Sequence, residues 1–379
     1  MPPSHPTRAA YAFISSGLGR VKRGVEIWML ELASHWAVSS EIELWSGGPP
    51  PDAPCARVRL HACHRDAAVL RGASWDRRYL IEQLSILPAT LLNLKKRQIA
   101  LAYCGDPALA WHLKKFKRWH GARVVFMNGM RLSPNWCFHF DGVHLLTPVY
   151  LDEARAALPG KDLDHFFVAP HFVDVQRFKP ATPETRVALR HRFNLSESEF
   201  VVLNVGPVGT TSHKRLDFLI ETVARMNDES RLLSVGAEEE GAEEIKALAS
   251  RRLGNRMKFL GPVDRAEMPS VYQLADAYGL AALEEPFSIA LLEALASGLP
   301  IVHHQDKVKT WLLVNASLPV SMENLEEATR ALSELKARPA LRKELSARAR
   351  ELAMARYAPA RICAEIRNAF QKIRALQTL

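Results

Sequence analysis

The feature that most constrains this chain is an alternation of short apolar runs with amphipathic stretches, and it occurs twice along the length. Tyr11–Ser15 is the first apolar run, residues 17–24 form a glycine-containing loop, and Val25, Met29, Leu32 and Trp36 then recur at helical spacing. Residues 41–45, 99–103 and 123–127 follow as strands, with a helix expected over 109–119. A proline-flanked stretch, FFVAPHFVDVQRFKP at 166–180, interrupts the pattern, and the alternation then begins again. Strands are expected at 200–206, 231–236, 257–260, 277–283 and 300–303, with helices at 216–226, 242–252, 268–275 and 288–297. From 325 onward the pattern is helical, broken near Pro359 and ending near Ala375. A strand joined through a helix to the next strand pairs in parallel, with the helix covering a face of the sheet. Two such series predict an α/β chain of two tandem doubly wound parallel-sheet domains with a cleft between them. A length of 379 residues agrees, since a single core rarely grows that large. The expected division is 1–172, 173–355 and a C-terminal helix over 356–379 that packs back on the first domain.

Charge narrows the choice of partners. Residues 1–180 carry 23 Lys and Arg against 15 Asp and Glu, so most of the net charge of +9 lies in the first half. Such a surplus suits anionic ligands or an anionic membrane surface, although it is equally what a solvated face looks like. No nucleic-acid recognition motif accompanies it, so a nucleic-acid partner is not expected. No apolar run is long enough to span a membrane, and the first residues, MPPSHPTR, do not resemble a signal peptide, which gives a cytoplasmic expectation. The cysteines Cys55, Cys63, Cys104, Cys137 and Cys363 are scattered and odd in number, which supports neither a disulfide framework nor a zinc knuckle. His61, Cys63 and His64 lack a second cluster at ligand spacing, so no metal site is expected.

The richest stretch for chemistry is LEEPFSIALLEALASGLPIV, 283–302. The strand ends at Pro286 and a helix begins at about Phe287, so unpaired backbone N–H groups and a positive dipole end face the carboxyl edge of the sheet, where an anion is favoured. Glu285 precedes that helix and Glu293 lies two turns inside it. Carboxylates beside an anion subsite are favourable where they accept hydrogen bonds, and sugar hydroxyls donate well. The competing reading is a pair of helix-capping or solvated glutamates.

Residues 201–300 resemble the retaining glycosyltransferases of family 4, the group-1 glycosyl transferases, whose fold is called GT-B. The resemblance rests on Glu285 and Glu293 followed by ALASGLP at 294–300, on HKRLDFLIETVARM at 213–226, and on KFLGPVDRAEMPSVYQLADAY at 258–278. It implies transfer of a sugar from a nucleoside diphosphate sugar to an acceptor hydroxyl, with retention and without a metal or other cofactor. Glu293 would hold the ribose, Glu285 the transferred sugar, Lys214 the diphosphate, and the backbone of Phe287, Ser288 and Ile289 the sugar and distal phosphate. Lys214, Glu285 and Asn128 are the catalytic candidates. In the first half, Gly24 opens a helix where the family has a glycine-rich loop. Asn128 stands where many members carry a histidine, though Asn128-Gly129 reads equally as a turn. Asp106 is an acceptor-side candidate, with a plain helix cap as the alternative. The acceptor is undefined, with lipid-linked and anionic compounds as candidate classes, and the inner face of a membrane is a candidate for peripheral contact.

Departures from the family are also plain. Gly206-Pro207 stands where Gly-Arg is usual, HHQDKVKTW at 303–311 replaces a Gly-Gly segment, and Pro170-His171-Phe172 replaces Pro-Asn-Gly. Arg20, Lys22 and Arg23 are candidates to supply the missing cationic charge to the donor, or else solvated loop residues. These departures keep a catalytically silent scaffold as the alternative, with a sugar-nucleotide epimerase ranked below it.

Overall fold

The computed structural model describes residues 9–21 and 24–376. The chain forms two compact units. The first holds residues up to His171 together with the C-terminal stretch from Pro359, and the second is Phe172–Ala358.

Among the described residues the first unit contains seven parallel strands, β1 (Tyr11–Ser15), β2 (Ile42–Ser46), β3 (Ala56–Arg59), β4 (Leu101–Cys104), β5 (Arg123–Met127), β6 (Gly142–Leu145) and β7 (Phe166–Val168). Their order is β3-β2-β1-β4-β5-β6-β7, which reverses direction between β1 and β4. The second unit contains β8 (Val201–Val205), β9 (Arg231–Val235), β10 (Met257–Phe259), β11 (Ala277–Leu280), β12 (Ile301–His304) and β13 (Ser317–Val320). Their order is β10-β9-β8-β11-β12-β13, reversing between β8 and β11. Both sheets are doubly wound, as the alternation predicts.

Side chains alternate across a strand, so a sheet covered on both faces needs continuous apolar runs. In the second unit Val201, Leu203, Leu233, Tyr278 and Ile301 enter one core with Tyr272, Leu291 and Leu295. Their strand neighbours Val202, Leu232, Ala277 and Val302 enter the other, with Leu219, Val223, Ile245 and Leu332.

Local departures from the expected elements have local causes. The helix expected over 109–119 is two pieces, Pro107–Lys115 and Lys117–His120, divided at Phe116 and ended by Gly121 at φ +79°. The helix after Glu285 starts two residues late, at Ile289. Between β2 and β4 lie β3 and the helices Trp75–Ser85 and Leu87–Arg97, a region where the sequence shows no clean alternation.

The final helix, Pro359–Ala375, is part of the first unit. Phe370 lies 5.5 Å from the Tyr11 ring, 5.2 Å from Tyr103 and 5.9 Å from Trp36, centroid to centroid. Ile373 packs over Gly142, where a Cβ would come within 2.4 Å of Ile373 Cδ1. Phe370→Ala should therefore destabilise the first unit by about 3–5 kcal/mol. Equilibrium denaturation checks it, and a change below about 1 kcal/mol would show that the helix is not integral to that core.

Candidate functional site

The second unit gathers its polar groups where the strand order reverses, at the carboxyl ends of β8 and β11. This is the edge at which open α/β sheets commonly take ligands. The chain leaves β8 at Gly206 and runs through a loop to the helix Leu216–Arg225. Lys214 lies in that loop, buried at 7% exposure, and its stem passes so close to Gly206 that a Cβ there would come within 2.6 Å of Lys214 Cγ. Lys214 Nζ donates to both carboxylate oxygens of Glu285, at 2.6 Å each. Burial alone would raise the Glu285 carboxyl, but Lys214 and His213 outweigh it and hold the group below the usual carboxylate range. His213 Nε2 stands 3.8 Å from Glu285, at the exposed side of the pair.

Glu293 lies on the helix Ile289–Ala296 and is 2% exposed, which rules out the reading of a solvated glutamate. Tyr272 donates to Glu293 Oε2 at 2.8 Å, and Arg265 pairs with Oε1. Burial and the Glu293 charge push the Tyr272 phenol well above its ordinary range, so it stays protonated as a donor. Burial raises Tyr278 likewise, with Glu285 and then Glu293 adding, so one phenol lies in the field of both carboxylates. Ser288 precedes the helix without capping it, and its buried hydroxyl has no hydrogen-bond partner among the described residues. The backbone N–H groups of the first turn, including Ile289, have no intrahelical partner by construction. Phe287 packs at the edge of the adjoining core.

The segment 303–311 forms a strut. Asp306 caps the helix Lys307–Leu313 by accepting from the Lys309 backbone N–H at 2.8 Å. Its other oxygen pairs with the buried Lys309 ammonium, which also donates to the Leu283 carbonyl at 3.4 Å, in the loop that carries Glu285. His303 is buried against Ser317 Oγ at 3.0 Å, and burial pulls its imidazole down to about 4, so it is neutral near pH 7.

In the first unit the polar groups also collect at the point of reversal, between β1 and β4. Asp106 follows β4 at the cap position of the helix Pro107–Lys115, yet its side chain makes no capping bond. Instead it accepts from the Ser16 backbone N–H at 2.6 Å and the Tyr79 hydroxyl at 3.1 Å, tying together the loops after β1 and β4. Beside it Arg65 binds Glu82, with its terminal nitrogen at 2.5 Å, and approaches Glu26 at 4.0 Å. Burial, with the Asp106 charge adding, pushes Glu26 up to about 7. Gly17 leaves room for this group, because a Cβ there would sit 2.3 Å from Glu26 Oε1 and the carboxyl would have to shift. Gly24 is different: a side chain there would meet nothing within 4 Å.

The remaining candidates fare unevenly. Asn128 is buried, with Oδ1 accepting from the Leu132 N–H at 2.7 Å and Nδ2 donating to the Leu132 carbonyl at 3.0 Å, so its amide closes the loop 128–132. Arg20 is exposed, and Lys22 and Arg23 lie outside the described residues. Among the described residues no group of three or more His, Cys, Asp or Glu could hold a metal ion. Sequence reasoning did not single out Arg265, Tyr272, Tyr278 or Lys309, nor the Arg65–Glu82–Glu26 cluster. Arg265, Tyr272 and Tyr278 sit inside the stretch 258–278 that carries the resemblance, which is the one signal that could have drawn them in.

Residues 186–352 match the model of the family described as glycosyl transferases group 1. Mannosylfructose-phosphate synthase of Agrobacterium fabrum is 34% identical over 175 residues, 43% of this chain and 37% of that one. D-inositol 3-phosphate glycosyltransferase of Xylanimonas cellulosilytica is 31% identical over 157 residues, 40% of this chain and 37% of that one. Alpha-galactosylglucosyldiacylglycerol synthase of Streptococcus pneumoniae is 26% identical over 235 residues, 60% of each chain. The chain thus spans less than two thirds of the length of these relatives. Among solved structures, sucrose-phosphate synthase from Thermosynechococcus elongatus matches with a TM-score of 0.81 at 18% identity, over 97% of this chain and 100% of that one. HepE of Anabaena, in complex with UDP and glucose, matches at 0.76 and 15%, over 96% and 99%. These likenesses show that the fold is GT-B.

Two outcomes follow from the buried charges. Lys214→Met leaves Glu285 buried without its cation and should cost about 3–5 kcal/mol at pH 7, whereas Lys214→Met with Glu285→Gln should recover most of it. Additive losses in denaturant melts would show that the two side chains are not coupled. Glu26 holds a proton in the folded state that the unfolded chain loses at its ordinary 4.5, so stability falls as pH rises from 4.5 to about 7 and levels off above. Glu26→Gln should remove that slope, worth up to about 3 kcal/mol. Parallel stability profiles for the two proteins across that window would contradict the assignment.

Proposed function

We propose, from a second unit in which residues 186–352 match the model of the group-1 glycosyl transferases, that the protein transfers a sugar from a nucleoside diphosphate sugar to an acceptor hydroxyl, with retention at the anomeric carbon and no metal requirement. The observation that carries the proposal is the buried Lys214 ammonium, fixed on Glu285 in the loop that leads into the helix on which Glu293 is held by Tyr272 and Arg265. As the glycosidic bond breaks, negative charge grows on the leaving diphosphate. A fixed cation and a helix N-terminus stabilise that charge more in the transition state than before it. In this reading Lys214 turns from Glu285 toward the diphosphate, Glu285 accepts from hydroxyls of the transferred sugar, and Glu293 accepts from the ribose. The backbone of Phe287, Ser288 and Ile289 donates to the sugar and distal phosphate, and the unpartnered Ser288 hydroxyl is a further group to be satisfied by a ligand. In this reading the acceptor attacks on the face the diphosphate leaves, and the diphosphate takes its proton. HepE in complex with UDP and glucose supports a sugar nucleotide as the donor class.

Asp106 and Asn128 belong to the first unit, which we assign to the acceptor. Asn128 contributes as the clasp of its loop. A lipid-linked or anionic acceptor, and a peripheral contact with an anionic membrane face, suit the charge of that half. No helix among the described residues is long and apolar enough to cross a membrane. One observation favours a silent scaffold as the second reading: both Glu285 oxygens are taken by Lys214, and Pro207 supplies no second cation.

Incubation with a set of sugar nucleotides, followed by nucleotide release, thermal shift and the anomeric proton coupling of the product, decides between these readings. Release with an axial or equatorial product matching the donor supports retention. Thermal stabilisation without release supports the scaffold, and an isomerised sugar supports an epimerase. Glu293→Ala should weaken donor affinity roughly ten- to a hundredfold, the loss of one charge-assisted contact, whereas Glu285→Gln should lower kcat more than affinity. Equal effects of both changes on donor affinity would count against the separate roles.

A further inference from the structure

The peripheral contact proposed above has no address in the charge count alone, but the exposed side chains of the first unit supply one. Between Leu87 and Arg123 the chain has eight Lys and Arg residues and a single acidic residue, Asp106. Asp106 is buried, so it offsets nothing at the surface. Lys114 and Lys117 are spent on Asp141, and Arg97 pairs with Glu43. Lys95, Lys96, Lys115 and Arg118 are exposed, and no acidic side chain pairs with them among the described residues. The same helices also expose large apolar side chains: Leu92 at 61%, Phe116 at 46% and Trp119 at 43%. These are not the fringe of the core, because the helices bury a separate set, Leu94, Leu109, Ala110 and Leu113.

Geometry joins the two sets into one surface. Leu92, Lys95 and Lys96 stand at i, i+3 and i+4, on one face of the helix Leu87–Arg97. That helix packs against Lys117–His120, and Lys95 Nζ lies 4.5 Å from the centre of the Trp119 ring. Within the helix Pro107–Lys115, Lys115 Nζ lies 5.4 Å from the Trp111 ring one turn before it. Lysines on long stems beside exposed Leu, Phe and Trp are the combination that an anionic phospholipid surface rewards: the heads meet lipid phosphates while the apolar tips enter the acyl boundary. A single-stranded nucleic acid would use the rings and the charges but gain little from Leu92.

We propose that the surface formed by Leu92, Lys95, Lys96, Lys115, Phe116, Arg118 and Trp119 docks the protein on an anionic phospholipid bilayer. The inference rests on the peripheral-membrane part of the reading above and is independent of sugar transfer. The test is sedimentation of the full chain with vesicles, without donor or acceptor, so its failure leaves the transferase reading untouched. Phosphatidylcholine vesicles containing phosphatidylglycerol should bind the protein at low salt, pure phosphatidylcholine should bind it at least tenfold more weakly, and salt should release it. Reversal of Lys95, Lys96, Lys115 and Arg118 to Glu should lower partitioning at least tenfold. Leu92→Ser with Phe116→Ser and Trp119→Ser should lower it several-fold while leaving the salt dependence in place. The control is Arg225→Glu with Arg251→Glu, two exposed cations of the second unit, which should bind as the wild type does. An unchanged denaturation midpoint shows that each variant is folded, and the two independent surface sets keep the test open if one is not. Absence of binding at low salt, equal loss in the control, or preference for an RNA oligomer over the vesicles overturns the proposal.

Discussion

The buried ion pair between Lys214 and Glu285 sets the terms for the second unit. Withdrawing an ammonium and a carboxylate from water costs several kcal/mol for each, and mutual attraction returns that only when the geometry is close and the hydrogen bonds are made. Here both carboxylate oxygens are engaged at 2.6 Å, so the loops after β8 and β11 are held in one arrangement. The opposite ends of the same two strands are held as well. Asp276, at the start of β11, accepts from the Val201 N–H at the start of β8 at 2.8 Å and pairs with Arg190 at 2.5 Å. The strands that flank the reversal are therefore fixed at both ends, and residues placed on their loops inherit that rigidity.

The first unit solves the same problem with different chemistry. Its reversal lies between β1 and β4, and Asp106 after β4 reaches the Ser16 N–H after β1. Among the described residues no lysine pairs with Asp106. Arg65 is shared between Glu82 and Glu26, and burial raises both Glu26 and Asp106. One unit thus joins its strands by a matched ion pair and the other by a carboxyl that burial raises, set beside the Arg65–Glu82–Glu26 cluster.

How much of this was legible depended on whether a signal is periodic. Two-faced apolar strands such as Val201–Val205 announce themselves because every position but Asn204 is apolar, and the order of strand and helix follows from them. Glu285 and Glu293 were legible through their spacing and the motif that follows them. The groups that hold them were not. Arg265 and Tyr272 reach Glu293 from 28 and 21 residues away, and Lys309 reaches Leu283 from 26 away, and such pairings leave no local pattern. Asp106 shows the same limit from the other side. An Asp before Pro at a helix start has the local form of a cap, and only the tertiary position of Ser16 and Tyr79 draws its carboxylate elsewhere. The stretch between β2 and β4 was least legible, because β3 is exposed along most of its length and carries no apolar run.

The placement of the helix Pro359–Ala375 in the first unit has a consequence for how the chain comes into being. The aromatic face that Phe370 covers, built from Tyr11, Phe13, Trp36 and Tyr103, is made before the second unit, but its cover is made after it. At about 5–20 residues per second, the interval between Tyr103 and Phe370 is on the order of ten to fifty seconds. The whole second unit can emerge and fold within that time, while the first waits with an apolar face uncovered on the ribosome. The unit translated first is thus the one finished last, and a nascent chain stalled before residue 359 would display that face to whatever chaperone or neighbouring chain is at hand.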